Sequence, residues 1–115
     1  MSENDLVLQR AVCHRYKQNF LPCVPDSKLG VALETIGSST PIHGLRHPPT
    51  SDTNGWYIWA GDYSDAPDFF SPLHVSHLHE HLPEVIKYLG LPAGARFLLA
   101  GEYDDVWFDA SLLNT

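Results

Sequence analysis

Apolar residues follow a helical rhythm near the start of this chain and again in its last third, with alternating stretches between and after. Over residues 4–19, Leu8, Ala11, Val12, Tyr16 and Phe20 recur at helical spacing, which lays side chains along one face of an α-helix. Ser2 or Asn4 can cap its start, and Pro22 ends it. Residues 30–36 alternate roughly and are rich in β-formers, which predicts a strand; Gly37-Ser38-Ser39 is a turn. Pro41 to Leu45 is a short extended piece, and Pro41 suits a strand start or a sheet edge. Two prolines and Asn54-Gly55 make residues 47–55 a loop.

Trp56-Tyr57-Ile58-Trp59-Ala60 has the strongest β-propensity in the chain. A pleated strand puts Trp56, Ile58 and Ala60 on one face and Tyr57 and Trp59 on the other. Both faces are apolar, so the strand is expected to be central, or to offer one face to a partner. An acidic loop, Asp62–Ser71, follows. Residues 76–89 then predict a helix with the stripe Leu78, Leu82, Val85, Ile86 and Leu89, kinked or split by Pro83 and capped at Gly90. Residues 96–100 and 106–108 predict a hairpin joined by Gly101–Asp105, and Asp109 caps a last helical turn. The order of elements predicts one α+β domain over residues 1–115, a mostly antiparallel sheet with helices packed on one face.

Charge is unevenly distributed along the chain. Residues 1–48 carry five Lys/Arg and four Asp/Glu, whereas residues 49–115 carry two and ten, a net −8 in the second part. Such a field disfavours nucleic acid, whose binding rests on Lys/Arg contacts to phosphate. It favours a basic partner. No apolar run approaches the roughly 20 residues of a membrane helix, and the acidic N-terminus lacks the basic start of a signal peptide. The expectation is a cytoplasmic protein whose Cys13 and Cys23 stay reduced.

Catalytic chemistry finds little support. His74, His77, His79 and His81 crowd together with Glu80 and Glu84. On an α-helix His77 and His81 would lie one turn apart and could present two imidazoles to zinc. The run is not His-Glu-x-x-His, and Pro83 disturbs the backbone where Glu84 would complete a ligand set. A metal-dependent enzyme built on residues 74–84 is therefore an alternative only, and no metal or cofactor is expected. Cys13 and His14 are adjacent, point apart on a helix and cannot pair as nucleophile and base. Gly-x-Ser-x-Gly and glycine-rich phosphate loops are missing. Asp104, Asp105 and Asp109 would need a cleft to do acid–base work, and on a hairpin loop they are expected to be solvated.

What remains is aromatic residues beside acids. Trp56, Tyr57, Trp59, Tyr63, Phe69 and Phe70 accompany Asp62, Asp65 and Asp68; Tyr103, Trp107 and Phe108 accompany Glu102, Asp104 and Asp105. Aromatic anchors ringed by one sign of charge suit a protein interface. A general interaction module and a dedicated inhibitor both fit.

The segments 44–49 (GLRHPP), 55–61 (GWYIWAG), 67–75 (PDFFSPLHV), 83–92 (PEVIKYLGLP) and 101–113 (GEYDDVWFDASLL) together resemble one bacterial family, the thirty-third of the toxin-immunity series, over about residues 30–113. The resemblance implies a protein that binds and neutralises a cognate toxin, and it implies no catalytic residues. With the charge asymmetry, it makes Asp62, Asp65, Asp68, Glu102, Asp104 and Asp105 the candidate contacts to a basic toxin. His77, His79 and His81 lie outside the pattern.

Overall fold

The computed structural model describes residues 2–114. Its helix, α1 (Glu3–Arg15), opens with a reciprocal cap. Asp5 N–H donates to Ser2 Oγ at 3.2 Å and Ser2 N–H to Asp5 Oδ2 at 3.0 Å, satisfying two donors that a helix start leaves orphaned. The helix ends at Arg15, before the expected 19. Lys17 turns left-handed at φ 58°, and the N–H groups of Lys17 and Gln18 close back on the His14 and Cys13 carbonyls. That is a Schellman closure made without glycine. The buried face is also rotated from the expected one. Gln9, Val12 and Cys13 face inward, while Leu8 and Ala11 are exposed. Gln9 can occupy the stripe because its amide donates to Ile86 O at 2.9 Å.

Six strands form one sheet: β1 (Lys28–Val31), β2 (Ile42–Arg46), β3 (Trp56–Ala60), β4 (Ser71–His74), β5 (Ala95–Ala100) and β6 (Tyr103–Phe108). Their order is β4-β1-β3-β2-β5-β6. The β1–β3 pair is parallel and the other pairs are antiparallel. The fold is thus the expected α+β domain, with three local corrections. The strand expected over 30–36 starts and stops earlier, because Leu33–Thr35 form a 3-10 turn fastened by the Thr35 hydroxyl, which donates to Ala32 O and accepts the Ala60 N–H. The acidic loop ends in an edge strand, β4, which tolerates Pro72 because an edge has N–H positions with no ladder partner. The hairpin connection is only Gly101-Glu102, with Gly101 at φ 63°, so Tyr103, Asp104 and Asp105 belong to β6 rather than to a loop.

The segment expected as a helix kinked or split at Pro83 is split there, into two stretches that are 3-10 rather than α, Val75–Glu80 and Pro83–Tyr88. Its stripe holds: Leu78, Leu82, Val85, Ile86 and Leu89 are all buried. They pack with Val12 and Cys13 of α1 onto one sheet face, against Leu29, Val31, Trp56, Ile58, Phe97 and Val106.

Arg46 fastens this layer to the sheet. It is 1% exposed. Its Nε donates to Asn54 O at 3.0 Å, and its Nη1 donates to Leu21 O at 2.6 Å, Leu91 O at 2.8 Å and Leu89 O at 3.3 Å. Leu89 O also accepts Trp56 Nε1 at 3.0 Å and the Cys23 thiol at 3.4 Å. One buried cation therefore ties the chain before β1, the loop before β3 and the end of the second 3-10 stretch, using carbonyl dipoles in place of a carboxylate. Gly55 lets that loop close: it sits at φ 97°, and a Cβ there would run into the His47 carbonyl.

Candidate functional site

Strand alternation assigns the remaining side chains to the helix-free face. The registers define a row across the whole sheet: Trp107 on β6, Arg96 on β5, Leu45 on β2, Tyr57 on β3, Gly30 on β1 and Pro72 on β4. The neighbouring row runs Asp105, Leu98, His43, Trp59. Large apolar and aromatic groups dominate both rows. Gly30 is the gap in the first; a Cβ there would come within 2.8 Å of the Tyr57 ring.

The segment after β3 folds back over this face. Phe70 meets Tyr57 edge-on at 5.2 Å between centroids, and Trp59 meets Tyr63 at 5.4 Å. Phe69 and Phe70 touch at 4.9 Å, and His43 stacks on Trp59 at 5.0 Å. Trp59 is 7% exposed and its Nε1 has no hydrogen-bond partner among the described residues. Beside this cluster lies a groove of about 480 Å³, lined by Leu45, His47, Pro48, Thr50, Thr53, Tyr57, Tyr63 and Phe70. The sequence reading singled out Tyr57, Tyr63 and Phe70 but missed Leu45, His47 and Pro48. The signal for Leu45 was strand parity. The His47–Pro48 wall depends on how the loop closes at Gly55.

The six candidate acids do not share one environment. Asp62, Asp65 and Asp68 are exposed on the returning segment and Glu102 is exposed at the hairpin turn. Asp104 points the other way, to the helix-covered side. There it accepts the Tyr88 hydroxyl at 2.6 Å and pairs with Arg15 at 3.3 Å. The Tyr88 hydrogen bond and the Arg15 charge hold its carboxyl below the usual range, and burial with that same bond pushes the Tyr88 phenol up. Asp109 N–H donates to Gly94 O, which fixes the β5–β6 alternation and turns the Val106 N–H outward; Asp105 Oδ1 accepts it at 2.9 Å. Asp104 and Asp105 are therefore not the solvated loop carboxylates expected, because both lie in a strand with partners.

Asp104 yields a pH prediction. A carboxyl with a lowered folded pKa contributes stability that is complete above its unfolded value of about 3.9 and is lost as pH falls through the folded value. Asp104→Asn should cost about 1.5 kcal/mol at pH 7. It should also flatten the fall in stability below about pH 4. Urea unfolding at pH 7 and at pH 3 checks both, and equal losses at the two values would show that the charge is not what matters.

The histidines disperse. His77 lies in the first 3-10 stretch and His81 closes it, both exposed. With three residues per turn rather than 3.6, residues four apart no longer stack on one side. His74 and His77 rings are 5.9 Å apart, while His79 Nε2 sits 3.3 Å from Asp5 on α1. Among the described residues no three His, Cys, Asp or Glu side chains gather closely enough to hold a metal ion. Cys13 and Cys23 are buried free thiols, donating to Gly90 O and Leu89 O. Burial pushes both thiols up, away from the reactive thiolate. No described helix is long and apolar enough to cross a membrane.

No curated protein and no solved structure matches the chain. The model of the Imm33-like domain family matches residues 8–109, nearly its whole length, including every strand of the sheet and the groove on its open face. The chain belongs to the Imm33-like domain family.

Proposed function

We propose that this chain is an immunity protein that binds a cognate bacterial toxin in the cytoplasm and neutralises it by occupying its surface, without catalysis and without a cofactor. Family membership supports the class. The observation that carries the reading at the level of residues is the aromatic cluster of Tyr57, Trp59, Tyr63, Phe69 and Phe70 on the helix-free sheet face, with the exposed acids Asp62, Asp65 and Asp68 on the segment that covers it. Interfaces concentrate binding energy in aromatic anchors that exclude water, with charge at the rim setting association rate and register. The β3 end at Ala60 pairs with Ile42, which pairs with Leu99 near the hairpin turn. Asp62 and Glu102 are thereby carried to the same end of the sheet. The partner is a protein with a basic surface, not nucleic acid and not a membrane. Asp62, Asp65, Asp68 and Glu102 are the direct contacts in this reading. Asp104 and Asp105 add to the field while their carboxylates remain engaged within the chain.

Co-expression with the protein encoded beside this chain tests the class: growth should be restored when both are made and lost when this chain is omitted. For the site, replacing Asp62, Asp65 and Asp68 together by Asn should slow association with that toxin about tenfold at low salt, flatten its salt dependence and leave the melting temperature unchanged. Stopped-flow or surface-based kinetics at two salt concentrations reads this. An unchanged association rate would move the interface off this loop.

A further inference from the structure

We infer that the groove bounded by Leu45, His47, Pro48, Tyr57, Tyr63 and Phe70 is a cage for an arginine or lysine side chain of the partner protein. This deepens the toxin-binding reading and rests on it. Three aromatic rings wall a space of about 480 Å³. They are set at angles to one another: Tyr57 and Phe70 at 70°, Tyr63 and Phe70 at 50°. A pocket lined by several aromatic rings attracts a cation wherever it meets the negative face of a ring.

Among the described residues no cation fills that role. The chain's own cation–ring contacts are made to Phe20, Tyr16, Trp56 and Tyr88, all outside the groove. The surrounding charge selects the same occupant. The segment that supplies Tyr63 and Phe70 carries Asp62, Asp65 and Asp68, exposed and in no ion pair among the described residues. Of the nearby cations, Arg96 is bound to Asp109 at 2.8 Å; Lys28 lines the adjoining groove, as does Asp52. An aliphatic side chain would use the apolar walls but not the carboxylates, and an acidic one would be repelled. A guanidinium or ammonium on an alkyl stem uses both.

Titration with N-acetyl-arginine amide, followed by NMR, tests the cage against N-acetyl-leucine amide as a neutral probe. The arginine probe should move signals of Tyr57, Tyr63 and Phe70 and bind about fivefold more tightly than the leucine probe. Tyr63 is exposed, so Tyr63→Leu keeps apolar bulk without threatening the fold; it should remove that preference and weaken toxin binding about tenfold. Equal binding of the two probes, or shifts confined to other surfaces, overturns the cage. If the cage prefers arginine but no toxin is captured, the immunity reading falls and the cage stands. If toxin binds Tyr63→Leu with full affinity, the immunity reading stands and the groove is not where the partner's basic residue goes.

Discussion

Arg46→Met should lower stability by about 3–5 kcal/mol, a fall in melting temperature of roughly 10–20 °C for a domain of this size. The side chain's volume is nearly kept, so the loss does not come from a cavity. It comes from Leu21, Leu91 and Asn54, whose carbonyls lose the guanidinium as donor, and from a weakened set of bonds on Leu89 O. A buried acceptor left without a donor costs about 1–3 kcal/mol each. Arg46→Lys keeps the charge, but an ammonium cannot reproduce a planar fork holding carbonyls on two sides, and it should recover less than half the loss. Thermal unfolding of the two variants checks the order. If Met and wild type melt within 3 °C of each other, the carbonyl ties are not what holds these three segments.

Trp56→Ala should cost about as much, 3–5 kcal/mol, for a different reason. The ring is fully buried, packs on Phe97 at 5.5 Å between centroids and lies under the Arg46 guanidinium at 5.6 Å, so its removal leaves a large void in the centre of the core. Trp56→Phe separates the terms: it keeps most of the packing and loses the donor to Leu89 O, for about 1–1.5 kcal/mol. Because Trp56 and Arg46 share that acceptor, the effects of Trp56→Phe and Arg46→Lys should not add; a coupling of about 0.5 kcal/mol or more is expected from a double-mutant cycle. Strict additivity would mean that the Leu89 carbonyl does not link them.

The run of aromatic and β-branched residues identified β3, an apolar run identified all of β5 but its first residue, and strand parity correctly split Trp56, Ile58 and Ala60 from Tyr57 and Trp59. The acidic half of β6 was unreadable because Asp104 and Asp105 have low strand propensity; their place is set by pairing with Leu99 and Leu98 across a two-residue turn. The rotated face of α1 was hidden because Gln9 is polar, and its amide is buried against the distant Ile86 carbonyl. Arg46 reads as a surface charge until three separate segments bring carbonyls to it. Of the candidate site, the aromatic and acidic groups were legible one by one. The gathering of Tyr57, Trp59, Tyr63, Phe69 and Phe70 on one face was not, since the returning segment and the β2–β3 loop contribute to the groove from positions that no local rule links.

The outward Val106 N–H, held by the carboxylate of Asp105, bears on how this protein behaves in a crowded cell. An open sheet ends in strands whose free donors can recruit a strand from another copy and begin aggregation. On β6 one such donor is already occupied from within, and negative charge stands beside it. At the opposite border β4 is four residues long and carries Pro72, which offers no N–H at all. Apolar side chains can therefore line the open sheet face while both borders of the sheet resist growth into fibres.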